Sequence, residues 1–459
     1  MPLLHAPLSV RGARIVDAAG NPVRLAGVNW GGAHQDGLVP AGLDKLHRDE
    51  IARRIVGWGF NHVRLTFALG TFVNNNGSVK TGPANAARLA ANPDLAGLSP
   101  WAVYQAVTES LTAAGLAVIP NCQLLFPGWC CSDADCNGLW YNGNWPGSTF
   151  TSAWLMVAQR FAGHPLVIGY DLKNEPRPAT IGGTKVTPTW GTGNTGTHPT
   201  DFRQLYSDTA ARMRAADPAK LFFCEGLNYA ADLTRAAAHP VTGGNIVYSM
   251  HDYSWFHPSG QSQADYFASM DSHGGYLVTR GIAPVYIGEF GTDTGTRAAM
   301  TSGWLARFRA WAQARGVHWC WWELSAQAVK GTEPCTNAVK AVDGTRETFG
   351  LMAGQDWLGS QSEMIALLRA MTLPRPRSYR PGRKAEKSRP SERGGRAAGR
   401  SRRRPSRTLA IRHVPAGLTA PEAVGGRCLC LRTSGFPAAR AALIPLTFKA
   451  VQGCCQQIR

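Results

Sequence analysis

The chain has 459 residues, 44% of them apolar, which is ordinary for a globular protein and allows a sizeable core. Its formal charge of +18 would suggest a nucleic-acid binder, but the charge is unevenly spread. Residues 372–459 hold 20 Lys/Arg against 3 Asp/Glu, whereas the preceding 371 residues hold 28 basic and 27 acidic side chains. All 15 Trp residues lie at or before Trp357, so a near-neutral, Trp-rich body precedes a basic extension of different character. No run of about 18 apolar residues exists, so no membrane span is expected. The first residues lack a basic stretch followed by a long apolar core, the pattern of a secretory signal.

At the N-terminus, LSVRGARIV and NPVRLAG flank a DAAGN turn and read as a hairpin over residues 1–24 that caps the body of the chain. From Leu25 onward, short apolar runs alternate with segments of helical period, the mark of βα units and a parallel sheet. Eight strand-like runs are predicted: Leu25–Trp30, His62–Phe67, Leu116–Gln123, Leu166–Glu175, Lys220–Asn228, Asn245–Tyr253, Pro284–Phe290 and Val317–Leu324. Helical segments lie between most of them. One places Leu46, Ile51 and Ile55 on one side, and another opens with Ser99 as N-cap and Pro100 at the first helical position. A final helix closes the set at Met371. Eight such units over residues 25–371 predict a (β/α)8 barrel, an α/β fold with long loops. An open, doubly wound sheet would want a GxGxxG turn after its first strand, and NWGGAHQDG lacks that spacing. The extension over 372–459 is rich in Arg, Pro, Gly and Ser in its first part and is expected to be disordered.

Seven of the 11 cysteines lie in the body. Cys130, Cys131 and Cys136 crowd the stretch GWCCSDADCNG, which predicts one or two local disulfides in an oxidising compartment. A zinc site would need a CxxC pair or a nearby His, and neither is there. Cys122, Cys224 and Cys320 sit in apolar runs and read as core thiols. His34, His47 and His257 share no metal-ligand spacing and read as surface or loop residues.

In a barrel of this kind the reacting groups gather at the C-terminal strand ends. Glu175 ends the fourth run and Glu289 the seventh, each after an apolar stretch. Carboxylates seldom sit in such places without a partner or a task. Two at one rim suit glycosidic cleavage, in which one protonates the leaving oxygen and the other attacks the anomeric carbon. Asn174-Glu175-Pro176, His251 and Tyr253, Glu289 in IGEFG, Arg64 in HVRLTF and Trp322 together resemble glycoside hydrolase family 5, over residues from about Leu8 to Met371.

The resemblance implies a retaining β-glycosidase that needs no metal or cofactor, with Glu175 as acid/base and Glu289 as nucleophile. It implies that Asn174 bonds the sugar 2-hydroxyl, that Arg64 and Tyr253 hold Glu289 ionised, that His251 positions the sugar, and that Trp322 offers it an apolar face. The loop PGWCCSDADCNG with the later TFGLM is closer to a branch common in plants and fungi than to the best-known cellulases. Gln123 departs from that branch, where a His is common; an amide can bond a hydroxyl but cannot carry a proton. A β-linked poly- or oligosaccharide, first of all a β-1,4-glucan, is the expected partner, with the protein a secreted monomer.

Trp30, Trp129, Trp140, Tyr141, Trp145, Trp190 and Trp255 fall in or beside predicted strand-end loops, and such a cluster suits sugar faces. Two other readings stay open. A non-catalytic carbohydrate-binding barrel would keep the aromatics but could dispense with one carboxylate. The Arg-rich extension could hold phosphates or an acidic surface, although beyond Tyr379 it has no interleaved aromatics; a frameshifted reading of a GC-rich gene would also produce it.

Overall fold

A computed structural model of the protein describes residues 4–372. Eight parallel strands close into a barrel in sequence order. They are β1 (Ala26–Trp30), β2 (His62–Ala68), β3 (Ala117–Leu124), β4 (Gly169–Asp171), β5 (Leu221–Glu225), β6 (Ile246–Asp252), β7 (Val285–Phe290) and β8 (His318–Trp321). The predicted (β/α)8 architecture is the one observed. The fourth and fifth runs are longer in the sequence than in the sheet. Their polar ends, Leu172–Glu175 and Gly226–Asn228, leave the strands and build loops at the barrel mouth.

The main helices are α1 (Arg48–Gly57), α2 (Pro100–Ala113), α3 (Gly147–Arg160), α4 (Phe202–Ala216), α5 (Gln263–Met270), α6 (Gly303–Arg315) and α7 (Ser362–Thr372). Their ends follow local chemistry. Ser99 accepts from the Ala102 N–H ahead of Pro100, and Asp201 accepts from Arg203 and Gln204. Gly316 closes α6 at φ 68°, a left-handed position that favours glycine. Inner faces, such as Ile51, Ala52 and Ile55 of α1 or Phe150, Trp154 and Val157 of α3, bury against the strands. None of the helices in the described region is long and apolar enough to cross a membrane.

The expected N-terminal hairpin is a three-stranded meander, Ser9–Arg11, Arg14–Val16 and Pro22–Val23, because Gly12-Ala13 makes an additional turn. Leu8 and Ile15 from this segment join Leu25, Ala117, Ile119, Ile168, Leu221, Phe223 and Val247 in one apolar cluster. Several of these open the barrel strands, so the meander plugs the end of the barrel opposite the mouth. Residues 373–459, which carry nearly all of the basic extension, lie outside the described region.

Cys122, Cys224 and Cys320 are buried and unpaired, as expected of core thiols. Cys136 pairs with Cys335, 199 residues away, and Cys130 pairs with its neighbour Cys131. The expectation of purely local bridges is thus corrected for Cys136. Its partner comes from the loop after β8, a proximity that closure of the barrel creates and sequence spacing does not reveal.

Ile15 is fully buried in the plug and remote in sequence from every predicted site residue. Ile15→Ala is expected to lower unfolding free energy by about 2–5 kcal/mol. Denaturant titration checks this, and turnover of the folded variant should stay within about twofold of wild type.

Candidate active site

Register decides which side chains meet at the mouth. Asn29 on β1 pairs with Arg64 on β2, and Asn121 on β3 with Asp171 on β4. Between β6 and β7 the register slips, so that Met250 faces Ile287 but His251 faces Glu289. Gly288 is the residue passed over. A Cβ there would lie 3.0 Å from His251 Nε2 and 2.9 Å from Ser249 Oγ, so a side chain would displace the imidazole. Irregularities of this kind re-aim side chains beside functional sites.

Arg64 is wholly buried and its guanidinium is saturated. Nε donates to Asp171 at 2.7 Å, one terminal nitrogen to Asn29 and Glu289, and the other to Asn174 and Glu225, each at 2.8 Å. Burial disfavours the charge, but Asp171, Glu289 and Glu225 outweigh it and raise the guanidinium well above its ordinary range.

Glu289 accepts from three donors: Arg64 at 2.8 Å and Gln123 at 3.1 Å on one oxygen, and the Tyr253 hydroxyl at 3.0 Å on the other. Burial, then the Glu289 and Glu175 carboxylates, push the Tyr253 phenol well up, so it stays a donor.

Glu175 is held differently. It follows β4 in a left-handed conformation, φ 46°. Its N–H donates to Glu225 at 2.7 Å and its carbonyl accepts from Arg177 at 2.7 Å, which fix the backbone in that uncommon region. Its carboxylate meets His251 Nδ1 at 2.9 Å. Burial raises the Glu175 pKa and the Glu289 charge adds to that, while the His251 bond opposes both.

Burial also disfavours a charged His251. The surrounding Glu289 and Glu225 carboxylates and the bond to Glu175 outweigh it and lift the imidazole well above its usual range. This favours the charged form of the ring, which meets Glu175 through Nδ1 and faces Glu225 at 3.5 Å through Nε2. Glu225 in turn is held down to about 2, against burial, by His251 and Arg64.

Seven of the eight residues singled out in the sequence thus form one hydrogen-bonded cluster: Arg64, Gln123, Asn174, Glu175, His251, Tyr253 and Glu289. Trp322 lies just past β8, half-buried, with its ring 6.1 Å from that of His34. Asn174 accepts from Arg64 and points its amide N–H groups at the Cys130 and Cys131 sulfurs, 3.6 Å away. Gln123 keeps its amide oxygen buried and without a partner among the described residues.

Other expectations need correction. His34 lies in a loop, as expected, but not at the surface: it is buried, bonds Thr66 at 2.7 Å, and burial, then Arg64, depress it to about 3, so it is neutral. Trp30, Trp140, Trp145 and Trp190 are also buried, packing the long loops onto the body. Trp129 and Tyr141 are half-buried, and Trp255 alone of that group is exposed.

Two acids that sequence reasoning passed over, Glu225 and Asp171, are integral to the cluster. Glu225 carries the same signal as the pair that was chosen, a Glu at the end of an apolar run, in LFFCEG. Atoms of Glu175, His251 and Glu289 lie within 4.8 Å of one another, a spacing that could serve a cation. Arg64 already places positive charge on Glu289, however, and the imidazolium does so on Glu175, so the donor set suits proton transfer. Cys130, Cys131 and Asp135 form a similar group, but Asp135 is engaged by Arg177.

Residues 16–328 match the family model described as cellulase, glycosyl hydrolase family 5. The chain belongs to that family. It is 27% identical over 337 residues to an endoglucanase of Paenibacillus polymyxa, covering 69% of this chain and 79% of that protein. It is also 27% identical to the major extracellular endoglucanase of Xanthomonas campestris pv. campestris, over 67% of this chain and 63% of the relative. The fold is similar to a hyperthermophilic endocellulase of Pyrococcus horikoshii, with a TM-score of 0.65 at 22% identity over 80% of this chain and 99% of the other. This family member is a glycosidase acting on O-glycosyl compounds.

The charges set two expected outcomes. Glu225→Gln should cut kcat about 100-fold through misplacement of Glu175 and partial loss of the imidazolium, with KM changed far less. Steady-state kinetics separate the two constants. In Glu289→Gln a repelling charge is gone, so the Glu175 pKa should fall relative to wild type, and carboxyl-carbon NMR titration reads that shift directly.

Proposed function

We propose that the chain hydrolyses β-1,4-glucan with retention of anomeric configuration, Glu289 attacking the anomeric carbon and Glu175 serving as acid and then base. The observation that supports this most is the unequal setting of two carboxylates that bring one oxygen each to within 4.8 Å of the other. Retaining pairs stand roughly 5–5.5 Å apart, whereas inverting pairs leave about 6.5–9.5 Å for a water molecule. Glu289 accepts from Arg64, Gln123 and Tyr253, and would act as the nucleophile. Glu175, whose pKa burial and the Glu289 charge push upward, is the carboxyl that would give a proton to the leaving oxygen. Once the glycosyl–Glu289 ester forms, Glu289 loses its charge and the Glu175 pKa drops, which turns that residue into the base for the attacking water.

Asn174 lies beside Glu289 through Arg64 and would take the 2-hydroxyl, Gln123 would accept from a neighbouring hydroxyl with its free oxygen, and Trp322 would cover a face of the bound sugar. The endoglucanase relatives point to β-1,4-glucan as the chain cut. The extracellular relative and the Cys136–Cys335 bridge support a secreted protein. Residues 25–371 make up the catalytic unit in this reading, with the N-terminal meander as its plug and the basic extension outside it.

Wild type should release soluble sugars from carboxymethyl cellulose or cello-oligosaccharides, and proton NMR of the first product should show the β anomer. Glu175→Gln and Glu289→Gln should each lose at least about 10³-fold in kcat/KM, the scale seen when groups that act only in the transition state are removed. An α-anomeric first product would refute retention. A wild type that binds but cleaves no β-glucan would leave a sugar-binding barrel in its place.

A further inference from the structure

We propose that Trp255 is a sugar-stacking platform for a second ring of the bound chain, mechanically continuous with the tyrosine that holds Glu289. The inference rests on the β-glucanase reading above and extends it to a subsite beyond the ring being cut. Trp255 is 48% exposed and is the one aromatic among the exposed large apolar residues of the described region. Its ring lies nearly parallel to Tyr253, at 11° with centroids 4.4 Å apart. Tyr253 donates to Glu289 at 3.0 Å, so one stack leads from solvent to the reacting carboxylate. Phe349, half-buried, continues the surface at 20° to Trp255 with centroids 6.3 Å apart, and Phe256 stands edge-on behind both Trp255 and Tyr253.

The turn that presents Trp255 is anchored at several points. Asp252, at the end of β6, is bonded by His257 at 2.5 Å, Tyr266 at 2.6 Å and Trp304 at 3.0 Å. The Phe256 N–H returns to the Tyr253 carbonyl at 3.0 Å. An exposed indole held in this way loses little freedom when a ligand covers it, which favours a binding use. Its solvent-facing neighbours in the chain, Ser254, Pro258, Ser259 and Gly260, include no other large apolar side chain. A lipid surface or a protein partner would want a broad exposed apolar patch. A flat exposed ring, continued by Phe349 and stacked against the mouth of a glycosidase, fits the C–H face of a sugar.

The test is a length series of cello-oligosaccharides, from two to six glucose units, with wild type, Trp255→Ala and Trp255→Phe. If the platform holds a sugar ring, kcat/KM of wild type rises with length, and Trp255→Ala removes tenfold or more of that rise, chiefly through KM. Trp255→Phe should restore most of it. If Trp255 merely braces Tyr253, Trp255→Ala lowers every length by the same factor, and the proposal is overturned; an unchanged length profile overturns it too. Failure of wild type to cleave any member of the series would strike the glucanase reading instead, and tighter binding of cellohexaose than of cellobiose to Glu289→Gln, abolished by adding Trp255→Ala, would then still support the platform.

Discussion

The buried guanidinium of Arg64 is the interaction on which the rest of the mouth depends. It draws partners from four other strands or their loops: Asn29 from β1, Asp171 and Asn174 from β4 and beyond, Glu225 from β5 and Glu289 from β7. Desolvating such a charge is expensive, and it is sustained only because every nitrogen is occupied and three of the acceptors are carboxylates. The planar fork matters as much as the charge. A lysine would supply a point charge and three donors, too few for five acceptors arranged in one plane, so the two are not interchangeable here. Closure of the barrel brings these acceptors together, and the guanidinium fixes their spacing.

Around that centre the two carboxylates proposed as catalytic are made unlike each other. Glu289 has Arg64, an amide and a phenol as donors, and all three favour its anion. Glu175 has burial against its charge, Glu289 against it as well, and only the imidazolium in its favour. Glu225 is what sustains that imidazolium, since its own carboxyl is held down to about 2 and it faces the far side of the ring. One fully ionised acid thus serves both sides. It neutralises Arg64, keeps His251 charged, and anchors the Glu175 N–H at 2.7 Å.

Much of this was legible in the amino-acid sequence. Alternation of apolar runs and helical segments is a periodic signal, and it located all eight strands to within a few residues. Glu175 and Glu289 were found because a carboxylate after an apolar run is costly unless it is used. Glu225 carries that same signal but no adjoining motif, and Asp171 ends a three-residue strand in the middle of a longer apolar run, where its inward direction depends on barrel closure. The aromatic loops misled for a physical reason. Long loops over a barrel must bury something of their own, and Trp30, Trp140, Trp145 and Trp190 are what they bury. Pairing of Cys136 with Cys335 is likewise a product of the closed barrel, which brings the loops after β3 and β8 together.

Those loops also bear on how Glu175 keeps its place. Arg177 donates to the Glu175 carbonyl, to the Ser132 carbonyl at 3.0 Å, and to Asp135. Ser132 in turn donates to Glu333, in the segment that Cys335 ties to Cys136. Lys173, fully buried, donates to the Asn174 carbonyl at 2.6 Å from the other side, and burial, then the nearby Arg177 charge, bring it down to about 8. The residues Asn174 and Glu175 lie outside regular structure, yet both carbonyls and the Glu175 N–H are held by charged side chains. A left-handed glutamate would otherwise relax toward commoner backbone conformations and swing its carboxylate away from Glu289. The bridged loops therefore act as a clamp on the backbone of Glu175, the proposed acid/base, and the barrel supplies the opposing carboxylate.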